Sequence, residues 1–172
     1  MPEPIGRVID VGTGAGFPGL VLKIAHPEIR LTLVESVAKK ANFCRLVVES
    51  LDLKNVEVLT ERAEVLGQSL QHREQYDWAV ARALATMPAL AEYLLPLVRV
   101  GGHVLTQKGS GGLDEAQASA AAVALLGGKL HSHKETHLPG VPAPHLLIVY
   151  EKIRPTPPQY PRRPGVPAKN PL

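Results

Sequence analysis

A chain of 172 residues with 45% hydrophobic content is long enough to bury one core and too short for two domains of ordinary size. No apolar run approaches the roughly 18 residues that span a bilayer, and Met1 opens no basic, apolar leader, so a cytoplasmic protein with no membrane partner is expected. The formal net charge of +3 is uneven: Ile153–Leu172 carries Arg154, Arg162, Arg163 and Lys169 and no acid, so polyanion affinity must come from patches and from this tail. The organisation expected is one domain over residues 1–152 followed by a basic, proline-rich tail over residues 153–172. Cys44 is the one cysteine; it excludes an internal disulfide and reads as a small buried hydrophobe.

Strand-like and helix-like segments alternate along the chain, the pattern of an α/β domain with a mainly parallel sheet. Val8, Ile9 and Val11 form a first buried strand that runs into Gly12-Thr13-Gly14-Ala15-Gly16-Phe17-Pro18-Gly19. Leu20, Val21, Ile24 and Ala25 then repeat at helical spacing, with Pro18 in the first turn. Arg30–Glu35 is the second strand. Ser36 is placed to cap a helix reaching Leu51, whose buried stripe is expected to be Val37, Phe43, Val47 and Leu51, with Cys44 beside it. Val56–Thr60 and Tyr76–Ala81 are the third and fourth strands, separated by a short helix over Glu61–Leu66.

Pro88 starts a leucine-rich helix that Pro96 ends, and Gly101-Gly102 leads into a fifth strand, His103–Lys108. Leu113–Leu126 reads as a single alanine-rich helix closed by Gly127-Gly128. Leu130–His137 and His145–Lys152, joined by Pro139–Pro144, are expected to form an antiparallel C-terminal hairpin. Seven prolines between Pro155 and Pro171 argue against regular structure there and for an extended arm, packed on the domain or mobile.

The glycine loop fits two ligands. Gly14-x-Gly16-x-x-Gly19 satisfies a dinucleotide pattern, whereas Asp10-x-Gly12-x-Gly14-x-Gly16 satisfies one typical of S-adenosylmethionine enzymes. An acid at the strand end is a poor neighbour for a pyrophosphate; Asp10 can order the loop or reach the ammonium of a methionine moiety. Glu35, about 20 residues beyond the loop, suits ribose hydroxyls in either case. No room remains for the substrate domain a dehydrogenase needs, and Leu20-Val21 after Gly19 excludes a P-loop. The methyl donor fits better; an NAD-binding domain and a non-catalytic nucleotide-binding module stand as alternatives.

Asp10–Gly19, the Arg82-Ala83 step, Lys108-Gly109 and the tail Tyr160-Pro161-Arg162-Arg163-Pro164-Gly165-Val166-Pro167 together resemble the bacterial 16S ribosomal RNA guanine-N7 methyltransferases, formerly called glucose-inhibited division protein B. The resemblance implies a class I methyltransferase fold, Rossmann-like, with a mainly parallel seven-stranded sheet. It implies S-adenosylmethionine as donor and a guanine of 16S rRNA in the 30S subunit as acceptor. By family position Gly12 and Phe17 touch the donor, Glu35, Ser36 and Val37 its ribose and adenine edge, Ala63 and Glu64 the adenine, and Arg82 the cleft. Similar proteins carry a helical segment before the first strand, where only Met1–Gly6 stands here, so that segment is expected to be absent.

Ligands of open α/β sheets lie beyond the carboxyl ends of the strands, which puts Arg82 and Lys108 on the crevice of the glycine loop. Neither an Asn/Asp-Pro-Pro-aromatic motif nor a strand-four cysteine is present, and guanine N7 needs neither, since it carries a free lone pair at neutral pH. Arg82 or Lys108 is expected to bond guanine O6 or a nearby phosphate, with a salt bridge to the donor carboxylate as the other role for Arg82. Tyr160 is a candidate base platform, and Arg162, Arg163 and Lys169 are candidate phosphate contacts. His131 and His133 would share a strand face, with His137 further on, but the neighbouring residues are not read as completing a useful ligand spacing, so no metal is expected. A monomer is expected.

Overall fold

In the computed structural model the described residues are 6–82, 85–109, 111–137, 140 and 143–172. The elements in chain order are β1 (Arg7–Val11), α1 (Gly19–Ala25), β2 (Arg30–Val34), α2 (Ala38–Ser50), β3 (Val56–Leu59), α3 (Ala63–Leu66), β4 (Tyr76–Arg82) and α4 (Met87–Leu94). A 3-10 turn at Leu95–Leu97 leads to β5 (Val98–Lys108), α5 (Gly112–Ala118), α6 (Ala120–Leu125), β6 (Gly128–Thr136), β7 (His145–Lys152) and α7 (Val166–Lys169). The strands form one seven-stranded sheet in the order β3-β2-β1-β4-β5-β7-β6. The first five are parallel, and β7 runs antiparallel to both β5 and β6, as the expected hairpin requires. The loop prolines Pro139 and Pro142 with Val141, and Ala83 of the Arg82-Ala83 step, lie outside the described residues.

Helices cover both faces of β1 and β2, which is why these strands are buried at consecutive positions instead of alternating, Asp10 and Thr32 included. On one side α4 buries every residue except Pro88 against the sheet and α6. Leu90, Leu94, Leu95 and Leu97 are each at most 1% exposed, and each contributes roughly 1.5–3 kcal/mol of transfer free energy. On the other side α1 and α2 pack Leu20 and Cys44 onto Val8, Leu31, Leu33 and Val80.

Several expectations need correction. Ser36 does not cap α2: Val37 holds that position without a side-chain bond, and Glu35 Oε1 accepts the Val37 N–H instead (2.8 Å). The buried face of α2 is Ala41 and Cys44, while Val37, Phe43 and Leu51 are exposed; the small side chains let the helix approach the loop, with Cys44 Sγ 3.4 Å from the Gly14 carbonyl oxygen. Ser119 divides the alanine-rich helix in two, because its hydroxyl donates back to the Glu115 carbonyl (2.7 Å) and bends the backbone. Strand β5 starts earlier than expected, at Val98, with Gly101-Gly102 in a register shift; a Cβ on Gly102 would lie 2.7 Å from the Asp77 carbonyl oxygen. His131 occupies a bulge in β6 and turns to the Glu151 and His103 side, while His133 pairs with Ile148 on the opposite face, so the two do not share a face.

The C-terminal arm is packed and partly regular, since it contains α7. Arg73 holds its first part, donating to the carbonyl oxygens of Thr156 and Tyr160 (both 2.7 Å). Lys152, wholly buried, donates from Nζ to Leu95 O (2.6 Å) and Thr156 Oγ1 (2.7 Å), with Glu74 Oε1 at 3.1 Å. Thus the start of the arm is tied to the foot of the sheet.

Candidate active site

The loop after β1 is shaped by two acids. Asp10 is fully buried at the end of β1, and its Oδ2 accepts the Thr13 hydroxyl (2.6 Å) and the Gly19 N–H (2.8 Å). That bond starts α1 at Gly19, where any side chain would be refused: a Cβ would lie 2.8 Å from Asp10 Oδ2 and 2.5 Å from Leu33 Cδ2. Pro18 therefore precedes the helix as its cap residue. Burial pushes the Asp10 carboxyl up to about 6, against the lowering pull of Thr13, Gly19 and the Arg82 charge. Its other oxygen, Oδ1, has no partner among the described residues.

Glu35 follows β2 and braces the loop from the far side. Its Oε2 accepts the Gly14 N–H (3.1 Å) while Oε1 accepts Val37 N–H. Gly12, Gly14 and Gly16 have φ of 69°, 60° and 92°, conformations that side chains resist. The outcome is a tight backbone turn after β1, partly exposed at Gly12 and Gly14 and buried at Thr13 and Gly16.

Beside this loop opens a cleft of about 160 Å³ whose lining includes Gly12, Ser36, Ala63, Glu64, Tyr93 and Ala168. Four of the residues assigned to the donor from sequence, Gly12, Ser36, Ala63 and Glu64, thus meet in one cavity. Asp10, Gly14, Gly16 and Glu35 build the loop behind it, and Val37 continues its edge at the start of α2. Val11, Val34, Ala63 and Tyr93 give the cleft apolar walls, and Glu64 brings a carboxylate. Phe17, half exposed, lies under the Arg82 guanidinium, 5.7 Å from ring centroid to Cζ, a cation–π contact that places the Arg82 charge at the loop.

Lys108 does not stand free at the crevice. Its Nζ donates to the Ala85 carbonyl (2.7 Å) and pairs with Glu115 Oε2 (3.0 Å), while Glu115 Oε1 accepts the Met87 N–H (2.7 Å). The pair ties Ala85 to the start of α4, and Ala85 lines the cleft. In this arrangement the Lys108 ammonium, expected from sequence at the guanine, is engaged by Ala85 and Glu115.

The arm candidates separate in the same way. Arg162 is committed to Glu92, which is fully buried on α4: Nε lies 2.9 Å from Oε1 and a terminal nitrogen 2.7 Å from Oε2. The phosphate contact expected of Arg162 from sequence thus falls on a side chain already paired with Glu92. Tyr160 is partly buried against the core instead of forming an open base platform, whereas Arg163 and Lys169 are exposed. Glu92, Glu115, Tyr93 and Ala168 escaped the sequence reading: Glu92 and Glu115 are fixed by bonds to Arg162 and Met87, 70 and 28 positions away, and Tyr93 and Ala168 meet through the packing of α7 on α4. No helix is long and apolar enough to cross a membrane, and no cluster of metal-ligating side chains occurs, among the described residues.

Residues 2–146 match the family model described as rRNA small subunit methyltransferase G. The ribosomal RNA small subunit methyltransferase G of Roseiflexus castenholzii is 52% identical over 96% of this chain and 70% of that protein. The protein of the same name from Alkaliphilus metalliredigens is 49% identical over 97% and 70%. Among solved structures, a 16S rRNA (adenine(1408)-N(1))-methyltransferase from Catenulisporales acidiphilia superposes with a TM-score of 0.70 at 13% identity, over 88% of this chain and 86% of that one. An rRNA methylase from Streptococcus thermophilus gives 0.62 at 15%, over 88% and 89%. At such identities the likeness is one of fold, and the fold is that of class I methyltransferases. With the family model covering most of the chain and relatives near half identical across it, this chain belongs to the rRNA small subunit methyltransferase G family.

Proposed function

We propose that this chain transfers a methyl group from S-adenosylmethionine to N7 of a guanine in the 16S rRNA of the small subunit, working in the bacterial cytoplasm. The observation that carries the reading is the meeting of Gly12, Ser36, Ala63 and Glu64 in one cleft beside a glycine loop braced by two buried acids. When bound, S-adenosylmethionine supplies an electrophilic methyl group on a sulfonium. The chain's contribution is placement. Val11, Val34 and Tyr93 offer apolar walls to a purine, and the Glu35 oxygens, each with one N–H bond, keep lone pairs for ribose hydroxyls. The bare backbone at Gly12 and Gly14 admits the donor closely.

On the acceptor side Arg82, held over the Phe17 ring at the loop, is a cation able to hold an RNA phosphate or the donor carboxylate, beside the exposed Arg62 of the cleft lining. Guanine N7 carries a free lone pair and needs no base to deprotonate it. Arg163 and Lys169 are the arm's exposed cations and suit flanking phosphates. The test is transfer of tritium from labelled S-adenosylmethionine to 30S subunits from a strain lacking the enzyme, with the labelled base mapped by borohydride and aniline cleavage, which reports N7-methylguanine. Label confined to one such guanine is expected. Binding of S-adenosylhomocysteine without any transfer would leave a non-catalytic nucleotide-binding module, and preference for NAD would overturn the donor.

A further inference from the structure

One wall of the cleft comes from the far end of the chain, where Ala168 on α7 joins Ser36, Ala63 and Tyr93 in the lining and α7 packs against α4. Two carboxylates hold this helix in place. Glu64, which lines the cleft, accepts the Gly165 N–H at 2.8 Å. Glu92, fully buried, accepts the Arg162 N–H (2.7 Å) and the guanidinium, and that guanidinium also donates to the Asn170 carbonyl (2.8 Å). Residues 162 and 170 flank α7, so a single ion pair pins both of its ends. Gly165 precedes the helix with φ of 83°, and a Cβ there would meet nothing within 4 Å. Its requirement is therefore one of backbone conformation, and space does not limit it.

We propose that residues 160–169 are a latched wall of the donor site, and that Ala168 is a specificity-determining residue whose small side chain leaves the room the donor's base occupies. The proposal rests on the donor-site reading above. A desolvated carboxylate is costly unless fully bonded, and here two of them, from α3 and α4, are spent on orienting ten residues whose one contribution to the cleft is a methyl group. Ala168 is exposed, so a larger side chain at that position intrudes on the cleft without repacking the core.

The experiment is calorimetric titration of the full chain with S-adenosylhomocysteine, beside steady-state kinetics on 30S subunits. For Ala168→Leu the affinity is expected to fall at least tenfold, with the kinetic loss in KM for the donor and not in kcat, and with the melting temperature of the free protein unchanged. Gly165→Val, which strains the positive φ, is expected to weaken binding several-fold, while Gly165→Asn, which tolerates that conformation, restores it to within about twofold of the parent. If the parent binds S-adenosylhomocysteine and Ala168→Leu binds it equally well, the wall is refuted and the donor site stands. If the parent itself fails to bind, the donor-site reading falls first. Equal losses in the two Gly165 variants, or none in either, also refute the latch, whatever the Leu variant does.

Discussion

Replacing Arg162 with Ala isolates the energetics of the arm from any contact with RNA. The substitution leaves Glu92, fully buried, with only the backbone N–H of residue 162; it removes three guanidinium contacts with Glu92, at 2.7, 2.9 and 3.1 Å, and the one with the Asn170 carbonyl, at 2.8 Å. Removing one partner of a buried ion pair costs about 3–5 kcal/mol. The Arg162 side chain is itself 26% exposed, so water can reach the vacated space, and the lower end, about 3 kcal/mol, is expected. For a chain of this size that lowers the melting temperature by roughly 10 °C. Arg162→Lys restores only part, since an ammonium cannot match the planar fork. Glu92→Leu combined with Arg162→Leu is expected to recover stability to within about 1 kcal/mol of the parent, because no buried charge is left unpaired. The assay is thermal and urea unfolding of the three variants without ligand. A fall of less than about 1 kcal/mol for Arg162→Ala, with a large loss of affinity for 30S subunits, would refute the reasoning and return Arg162 to the RNA.

Further predictions concern the loop, the staple and the exposed cations. Asp10 has its pKa raised from 3.8 to about 6 in the fold, so between these values the folded state holds a proton that the unfolded state has released, and stability falls as pH rises through that window and levels off above 6. Asp10→Asn is expected to flatten urea-derived stability between pH 4 and 6 and to raise it near pH 7 by about 1–3 kcal/mol, while weakening donor binding; an unchanged pH profile counts against the burial argument. Lys108→Ala and Glu115→Ala are each expected to lower kcat about tenfold, and the double variant no further, since both act on one staple; a far larger loss for Lys108→Ala would restore its contact with the base. Neutralising Arg163 and Lys169 together should weaken 30S binding and reduce the slope of log affinity against log salt by one to two, with donor affinity unaltered; an unchanged slope removes them from the interface.

Much of this architecture is legible in the chain. The apolar steps Val8-Ile9 and Leu33-Val34 signal buried strands, and Asp10 at a strand end signals an ordered loop, because these signals are local; that Glu35 braces the same loop through the Gly14 N–H is seen only in the fold. Three kinds of information are not local. The buried face of α2 is carried by Ala41 and Cys44, small residues chosen for close approach, whereas periodicity weights the large Phe43 that solvent actually meets. Arg162 looks like its neighbour Arg163, and only Glu92, 70 positions away, distinguishes a structural cation from an available one. Lys108 likewise takes its role from Glu115 and from a carbonyl 23 positions back. His131 and His133 part company through one inserted residue in a ladder whose register depends on β7.

The span of the latch also has a kinetic meaning. Glu64 and Gly165 are 101 positions apart, and Glu92 and Arg162 are 70 apart, so closing these contacts requires the sheet and α4 to be in place already. Loops of that length close late, which puts the arm outside the folding nucleus: substitutions there should accelerate unfolding and barely alter the rate of folding. Short local openings of the arm would then precede global unfolding, and the amide proton of Gly165, exchanging with solvent faster than those of β1, would time them.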